Sequence, residues 1–255
     1  MVVAHQGTDP HEILSIANDV EFAQVDANST LFPKASSDVQ VHSGFQDTQG
    51  RTADLVLSTV QSSLASNGFK KVLVTGHSLG AAVASLDAVM LRMALPDDVE
   101  VDSVVFGLPR VGNSAWADLV NTLVRGLRDD RSARRSYANH WCDRGREQIP
   151  NFAHVTNQDD PVPNVPPHFL DFEHPGGELH ITAVDNSTGQ ATMVNCPGSE
   201  NQVSVARRSV LQRILIVSRA HQNCAAGNSL LDTSIPNHLG PYFNGISFGG
   251  KACTS

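Results

Sequence analysis

No stretch of this sequence approaches the roughly 18 consecutive apolar residues that a membrane-crossing helix requires, so no membrane span is expected. A basic surplus is also missing: 18 Lys and Arg stand against 26 Asp and Glu, a formal net charge of −8. Nucleic-acid-binding domains normally carry a basic face, and this balance argues against such a partner. Cysteine is scarce. Cys142, Cys196, Cys224 and Cys253 match no Cys-x-x-Cys metal spacing, and the last three sit in a Gly-, Asn- and Ser-rich region that suits a disulfide better than zinc. The N-terminus, Met1-Val2-Val3-Ala4-His5, has no charged region followed by a long apolar run, so no signal peptide is read there. Repeats and low-complexity linkers are absent too, and one domain over residues 1–255 is the simplest account.

What is present is a globular composition, with 40% hydrophobic residues, enough for a sizeable core. Two N-glycosylation sequons, Asn28-Ser29-Thr30 and Asn186-Ser187-Thr188, lean slightly towards a secreted protein. Short β-branched runs alternate with longer amphipathic segments, the pattern of an α/β domain with a mainly parallel sheet. Strands are predicted at 2–5, 39–42, 71–75, 103–106, 152–156 and 179–183. Helices are predicted at 52–64, 79–93, 114–124 and 203–221. The run Lys71-Val72-Leu73-Val74-Thr75 has the apolar centre of a strand covered on both faces.

Directly after that strand, and directly before the helix starting near Leu79, stands Gly76-His77-Ser78-Leu79-Gly80. Gly-x-Ser-x-Gly alone recurs by chance, but strand–turn–helix is the context that a nucleophile elbow requires. The two glycines leave room for a tight turn, Ser78 becomes the candidate nucleophile, and the Leu79 N–H at the helix start becomes a candidate oxyanion donor. A serine hydroxyl needs a base, and the base an orienting carboxylate, in the chain order Ser, acid, His. Asp160, in Asn157-Gln158-Asp159-Asp160-Pro161, lies just past a predicted strand, with Asp159 as its competitor. Five histidines follow: His168, His174, His180, His221 and His238. His180 falls inside a strand and His221 at a helix end, which suits structural roles. His238 lies in the loop Ile235-Pro236-Asn237-His238-Leu239-Gly240, from which the elbow is easily approached, with His168 and His174 still open.

Five stretches together resemble the class 3 lipases, the filamentous-fungal triacylglycerol lipase and feruloyl esterase type. They are 39–45 (Val-Gln-Val-His-Ser-Gly-Phe), 74–81 around the elbow, 106–113 (Phe-Gly-Leu-Pro-Arg-Val-Gly-Asn), Asp160-Pro161-Val162-Pro163 with Pro166-Pro167, and 238–243 (His-Leu-Gly-Pro-Tyr-Phe). The resemblance implies an α/β-hydrolase fold, a mainly parallel central sheet flanked by helices. It implies a secreted serine ester hydrolase with Ser78 as nucleophile, Asp160 as acid and His238 as base, and with no metal or cofactor. It also implies that Thr8, of Gly7-Thr8, is a second oxyanion donor, and that 9–19, with Ile13, Leu14 and Ile16, is an amphipathic lid that meets a lipid–water interface. Lipid esters are the expected substrates; a feruloyl esterase or phospholipase A1 would share the same residues, and a non-catalytic or unstable lipid-binding hydrolase-like domain is the rival from another class.

Two departures stand out against that family pattern. Its members carry a further N-terminal section ahead of the Gly-Thr strand, which leaves Cys253 without its customary partner and makes Cys196 and Cys224 the better pair. Residues 125–148 hold seven of the 18 basic residues, with no periodicity, where the family runs straight into a sequence like Ile149-Pro150-Asn151-Phe152. Residues 124–148 are read either as a retained intron, whose codons at Val124-Arg125, Ala138-Asn139 and Gln148 can spell splice signals, or as a genuine surface loop.

Overall fold

The computed structural model describes residues 1–7, 22–123, 152–196, 198–201, 224–228 and 233–249. Its centre is a six-stranded sheet. In chain order the strands are β1 (Val2–His5), β4 (Lys71–His77), β5 (Glu100–Phe106), β6 (Phe152–Asn157), β7 (Glu178–Val184) and β8 (Ala191–Cys196), and they lie side by side in that same order. The first five run parallel, with Leu73 opposite Val2 and Asp102, and Val105 opposite His154. Only β8 turns back, antiparallel to β7. The interior strands are apolar on both faces because helices cover both: Val72, Val74, Phe152 and Ala153 are fully buried, and every residue of β6 is buried.

Between these strands run α1 (Ser43–Gly50), α2 (Ala53–Asn67), α3 (Leu79–Ala94) and α4 (Ser114–Leu123), with a short α5 (Ile235–Leu239) near the end. Helix α3 is buried almost all round, 13 of its 16 residues, and packs against β1, β4 and β5 on one side and α1 on the other. Its Ala-rich composition allows that close approach. It stops at Leu95, whose extended backbone (ψ 154°) is what a following proline, Pro96, enforces. The one acid inside it, Asp87, is fully buried but compensated: Gln49 Nε2 of α1 donates to it at 2.8 Å, and His5 Nε2 of β1 faces it at 2.8 Å.

Strand lengths differ modestly from expectation, and the elements at 24–26, 43–50, 191–196 and 235–239 were not expected at all. Residues 39–42 do not enter the main sheet; β3 (Gln40–His42) pairs antiparallel with β2 (Gln24–Asp26) as a separate ribbon. The hairpin strand β8 was not expected from the sequence. Its residues are mostly half-buried or exposed, with only Cys196 buried, so it lacks the apolar run that marks an interior strand. Cys196, at its end, is joined to Cys224 by a disulfide. Several expectations lie outside the described residues: Thr8, the segment 9–19, the insert 124–148, the helix 203–221 with His221, and Cys142 and Cys253.

Candidate active site

Ser78 alone makes the turn between β4 and α3. Its backbone sits at φ 58°, ψ −127°, which an L-residue holds only at a cost of order 1–2 kcal/mol. The flanking glycines are what make the turn possible. A Cβ on Gly76 would run into the Gly80 carbonyl, and one on Gly80 would lie 2.5 Å from the His5 oxygen and 2.7 Å from the Gln6 carbonyl. The turn is pinned from the next strand, since the Ser78 N–H donates to the Phe106 oxygen at 3.0 Å. Leu79 opens the helix, so its N–H belongs to the first turn, which has no intrahelical acceptor and carries the positive end of the helix dipole.

Asp160 lies three residues past the end of β6 and is 1% exposed. One carboxylate oxygen accepts from the Val162 N–H at 2.9 Å, and the other faces His238 Nδ1 at 2.8 Å. His238 is fully buried, and among the described residues its Nε2 has no hydrogen-bond partner. With Nδ1 donating to the carboxylate, Nε2 of the neutral ring is left with its lone pair free. The ring sits on Gly107, the residue that follows β5, at φ +54°; a Cβ there would stand 2.7 Å from His238 Cε1 and 2.8 Å from Nδ1. Gly107 adjoins the carbonyl that holds the Ser78 N–H, and the His238 ring lies 4.4 Å from that of His77, next to Ser78. The elbow, Asp160 and His238 thus share one cluster.

The competing residues lie elsewhere. Asp159 and His168 are exposed. His174 is buried with Nε2 donating to the Pro163 oxygen at 2.8 Å, and His180 Nδ1 meets the Thr156 hydroxyl at 2.8 Å. Both are tied into the wall behind the site.

Polar groups hold the segment that carries His238. Asn157, the last residue of β6, donates from Nδ2 to the Asn237 oxygen at 2.8 Å and to the Pro241 oxygen at 3.2 Å. His77 Nε2 and the Tyr242 hydroxyl both donate to the His238 carbonyl, at 2.8 and 3.1 Å. Burial, reinforced by the nearby His238 ring, pushes the His77 pKa down to about 3, so His77 stays neutral. Beside His174, Arg110 grips Glu200 with two hydrogen bonds, of 2.7 and 3.0 Å, and donates to the Pro166 oxygen on the chain following Asp160. Burial alone would raise the Glu200 pKa, but Arg110 and His174 together outweigh it and bring it to about 2. Among the described residues, one group with close-set metal-ligand atoms exists, Glu178, Cys196 and Cys224, and both its sulfurs are engaged in the disulfide.

The sequence profile of the family described as Lipase (class 3) matches residues 2–170, more than half of the chain. The chain belongs to the class 3 lipases. Among relatives, it is 27% identical over 243 residues to the secreted mono- and diacylglycerol lipase LIP2 of Malassezia restricta, covering 95% of this chain and 61% of that protein. To the secreted mono- and diacylglycerol lipase MDL2 of Malassezia globosa it is 31% identical over 210 residues, covering 81% and 60%. The chain therefore spans about three fifths of the length of these relatives. Among solved structures, Rhizomucor miehei triacylglyceride lipase superposes with a TM-score of 0.63 at 25% identity, covering 95% of this chain and 70% of that one. Yarrowia lipolytica Lip2 lipase shares the fold, with a TM-score of 0.65 at 23% identity and coverage of 93% and 69%.

Several residues around the cluster carry no signal that the sequence alone reveals. Gly107 and Arg110 stood inside the quoted 106–113 motif, but nothing local marks a glycine that must make room for an imidazole 131 positions away. His77 was part of the elbow, read only as its variable position. Asn157 and Tyr242 act through single side-chain hydrogen bonds to backbone carbonyls, which no spacing pattern records.

Proposed function

We propose that this chain is a secreted serine carboxylic-ester hydrolase that cleaves acylglycerols through an acyl-enzyme, with residues 1–255 forming one α/β-hydrolase domain. The observation that carries the reading is the buried Asp160–His238 pair, with Nε2 unpaired, set beside a serine in a strained turn at the start of α3. Nε2 takes the Ser78 hydroxyl proton as Oγ attacks the ester carbonyl, while Asp160 holds the ring through Nδ1 and offsets the positive charge that forms on it. The Leu79 N–H receives the developing oxyanion, a contribution of roughly 3–4 kcal/mol per donor in comparable sites. His238 then passes its proton to the leaving alcohol, and water repeats the sequence to free the acid. Thr8 remains the proposed second donor. In support, a Cβ on the preceding Gly7 would lie 3.3 Å from Ser78 Cβ, so the chain passes against the nucleophile at that point.

Acylglycerol substrates are supported by the names of the relatives, which are mono- and diacylglycerol lipases, and secretion by the same names. Among the described residues no helix is long and apolar enough to cross a membrane. Contact with a lipid surface is supported by Phe169, 83% exposed, and the neighbouring Leu170, apolar side chains presented to water just beyond the Asp160 turn. The test is hydrolysis of p-nitrophenyl butyrate and tributyrin by the purified chain and by Ser78→Ala. Ser78→Ala is expected to lose all activity above background; activity that survives the substitution refutes the assignment.

A further inference from the structure

The mechanism uses the imidazole of His238, yet two polar side chains are aimed at its backbone. The His238 carbonyl has two lone pairs. His77 Nε2 meets it at 2.8 Å and the Tyr242 hydroxyl at 3.1 Å. A carbonyl can only accept, so Nε2 of His77 carries the proton. His238 belongs to a helix of five residues, too short to hold its own orientation.

His77 itself cannot swing. Its ring stacks on Phe248, with centroids 4.1 Å apart and planes 8° apart, meets the edge of Tyr242 at 6.2 Å, and lies 4.4 Å from the His238 ring. It is also one peptide bond from Ser78. The path from nucleophile to base therefore runs across a single peptide unit and one hydrogen bond, whereas along the chain they stand 160 positions apart.

We propose that His77 is a positioning residue that sets the placement of His238 relative to Ser78, with the Tyr242 hydroxyl as its partner on the same carbonyl. This rests on the reading of Ser78 as nucleophile and His238 as base. A neutral ring suits the task. Burial and the adjacent His238 hold the pKa of His77 at about 3, so the Nε2–H persists through the working pH range, and no second cation faces His238 when it becomes an imidazolium. Among the described residues, the Tyr242 hydroxyl, kept protonated by burial, and the Phe248 ring also face His77.

The experiment compares kcat and KM for p-nitrophenyl butyrate in the wild-type chain, His77→Phe, His77→Gln and Tyr242→Phe, with Ser78→Ala as control. Phenylalanine keeps the stacking and removes the donor; glutamine places an amide nitrogen where Nε2 stood. His77→Phe should lower kcat by about tenfold to a hundredfold, the scale set by an ångström of misplacement in a reacting pair, with KM within about twofold. His77→Gln should recover most of that loss, and Tyr242→Phe should show a kcat loss of about threefold or more at unchanged KM. Wild-type kcat in His77→Phe, or an equal fall in the Phe and Gln variants, overturns the proposal. If His77→Phe fails to fold, Tyr242→Phe decides, and an unchanged kcat there overturns it. An inactive wild-type chain or an active Ser78→Ala brings down the underlying reading, and the inference with it.

Discussion

Gly107→Ala puts the packing around His238 to a direct test. The added methyl would stand 2.7 Å from His238 Cε1, 2.8 Å from Nδ1 and 3.2 Å from Asp160 Oδ2. Carbon atoms settle at about 3.5 Å or more, so the ring must retreat by about 0.8 Å. That movement is shared between the two hydrogen-bonded partners, and displacement on this scale costs about a hundredfold in rate. The backbone adds its own penalty, since alanine at φ +54° costs about 1–2 kcal/mol, a melting-temperature fall of roughly 2–8 °C in a chain of this size. Gly68→Ala supplies the control. It has a similar φ of +66° at the end of α2 but nothing within 4 Å of the added methyl, so it should lose stability alone. The assay is kcat on p-nitrophenyl butyrate, with folding followed by circular dichroism. A folded Gly107→Ala chain with kcat within about threefold of wild type would refute the packing argument.

Removing the other half of a buried ion pair should be costly for stability. Arg110→Ala leaves Glu200 buried without its partner and should destabilise the chain by about 3–5 kcal/mol at pH 7 in urea titrations, with the gap to wild type narrowing as acid protonates Glu200; a loss below about 1 kcal/mol would contradict it. Acid should also destabilise the wild type. His77 and His154 have folded pKa values below the usual 6.5, held there chiefly by burial, so the unfolded chain binds protons that the folded chain refuses. Stability then falls as pH drops through 6.5, by about 2 kcal/mol for each histidine at pH 5. Glu200 adds a further loss between its unfolded value of 4.5 and its folded value of about 2. Equal urea midpoints at pH 7 and pH 5 would rule this out.

The parallel core was legible because burial on both faces forces apolar β-branched runs: 71–75 and 152–156 lie within β4 and β6, each with a residue or two more. The elbow was legible because steric crowding at Gly76 and Gly80 leaves no choice of residue. Strand β5 begins three residues earlier than expected, at Glu100, because Asp102 interrupts the apolar pattern while remaining 8% exposed. Strand β8 was missed because an edge strand needs no buried face; what places it is a turn in which Asp185 accepts from the Ser187 N–H at 2.8 Å. Asp160 and His238 came from chain order and from resemblance, and the hydrogen bond between them needs the fold to bring together residues 78 positions apart. Nothing in the sequence could place Arg110, just past β5, beside Glu200, just past β8 and 90 positions away.

Asn157 has one more consequence. By gripping the chain at 237 and again at 241, it ties the position of the base directly to the end of β6, across the 79 residues that intervene. Surface turns within that stretch, such as 185–190, can lengthen, shorten or change their character while the chemistry keeps its coordinates. For the engineer, those surface turns are where new specificity can be written, provided that Asp160, β7, the Arg110–Glu200 pair and the clasp at Asn157 are left alone.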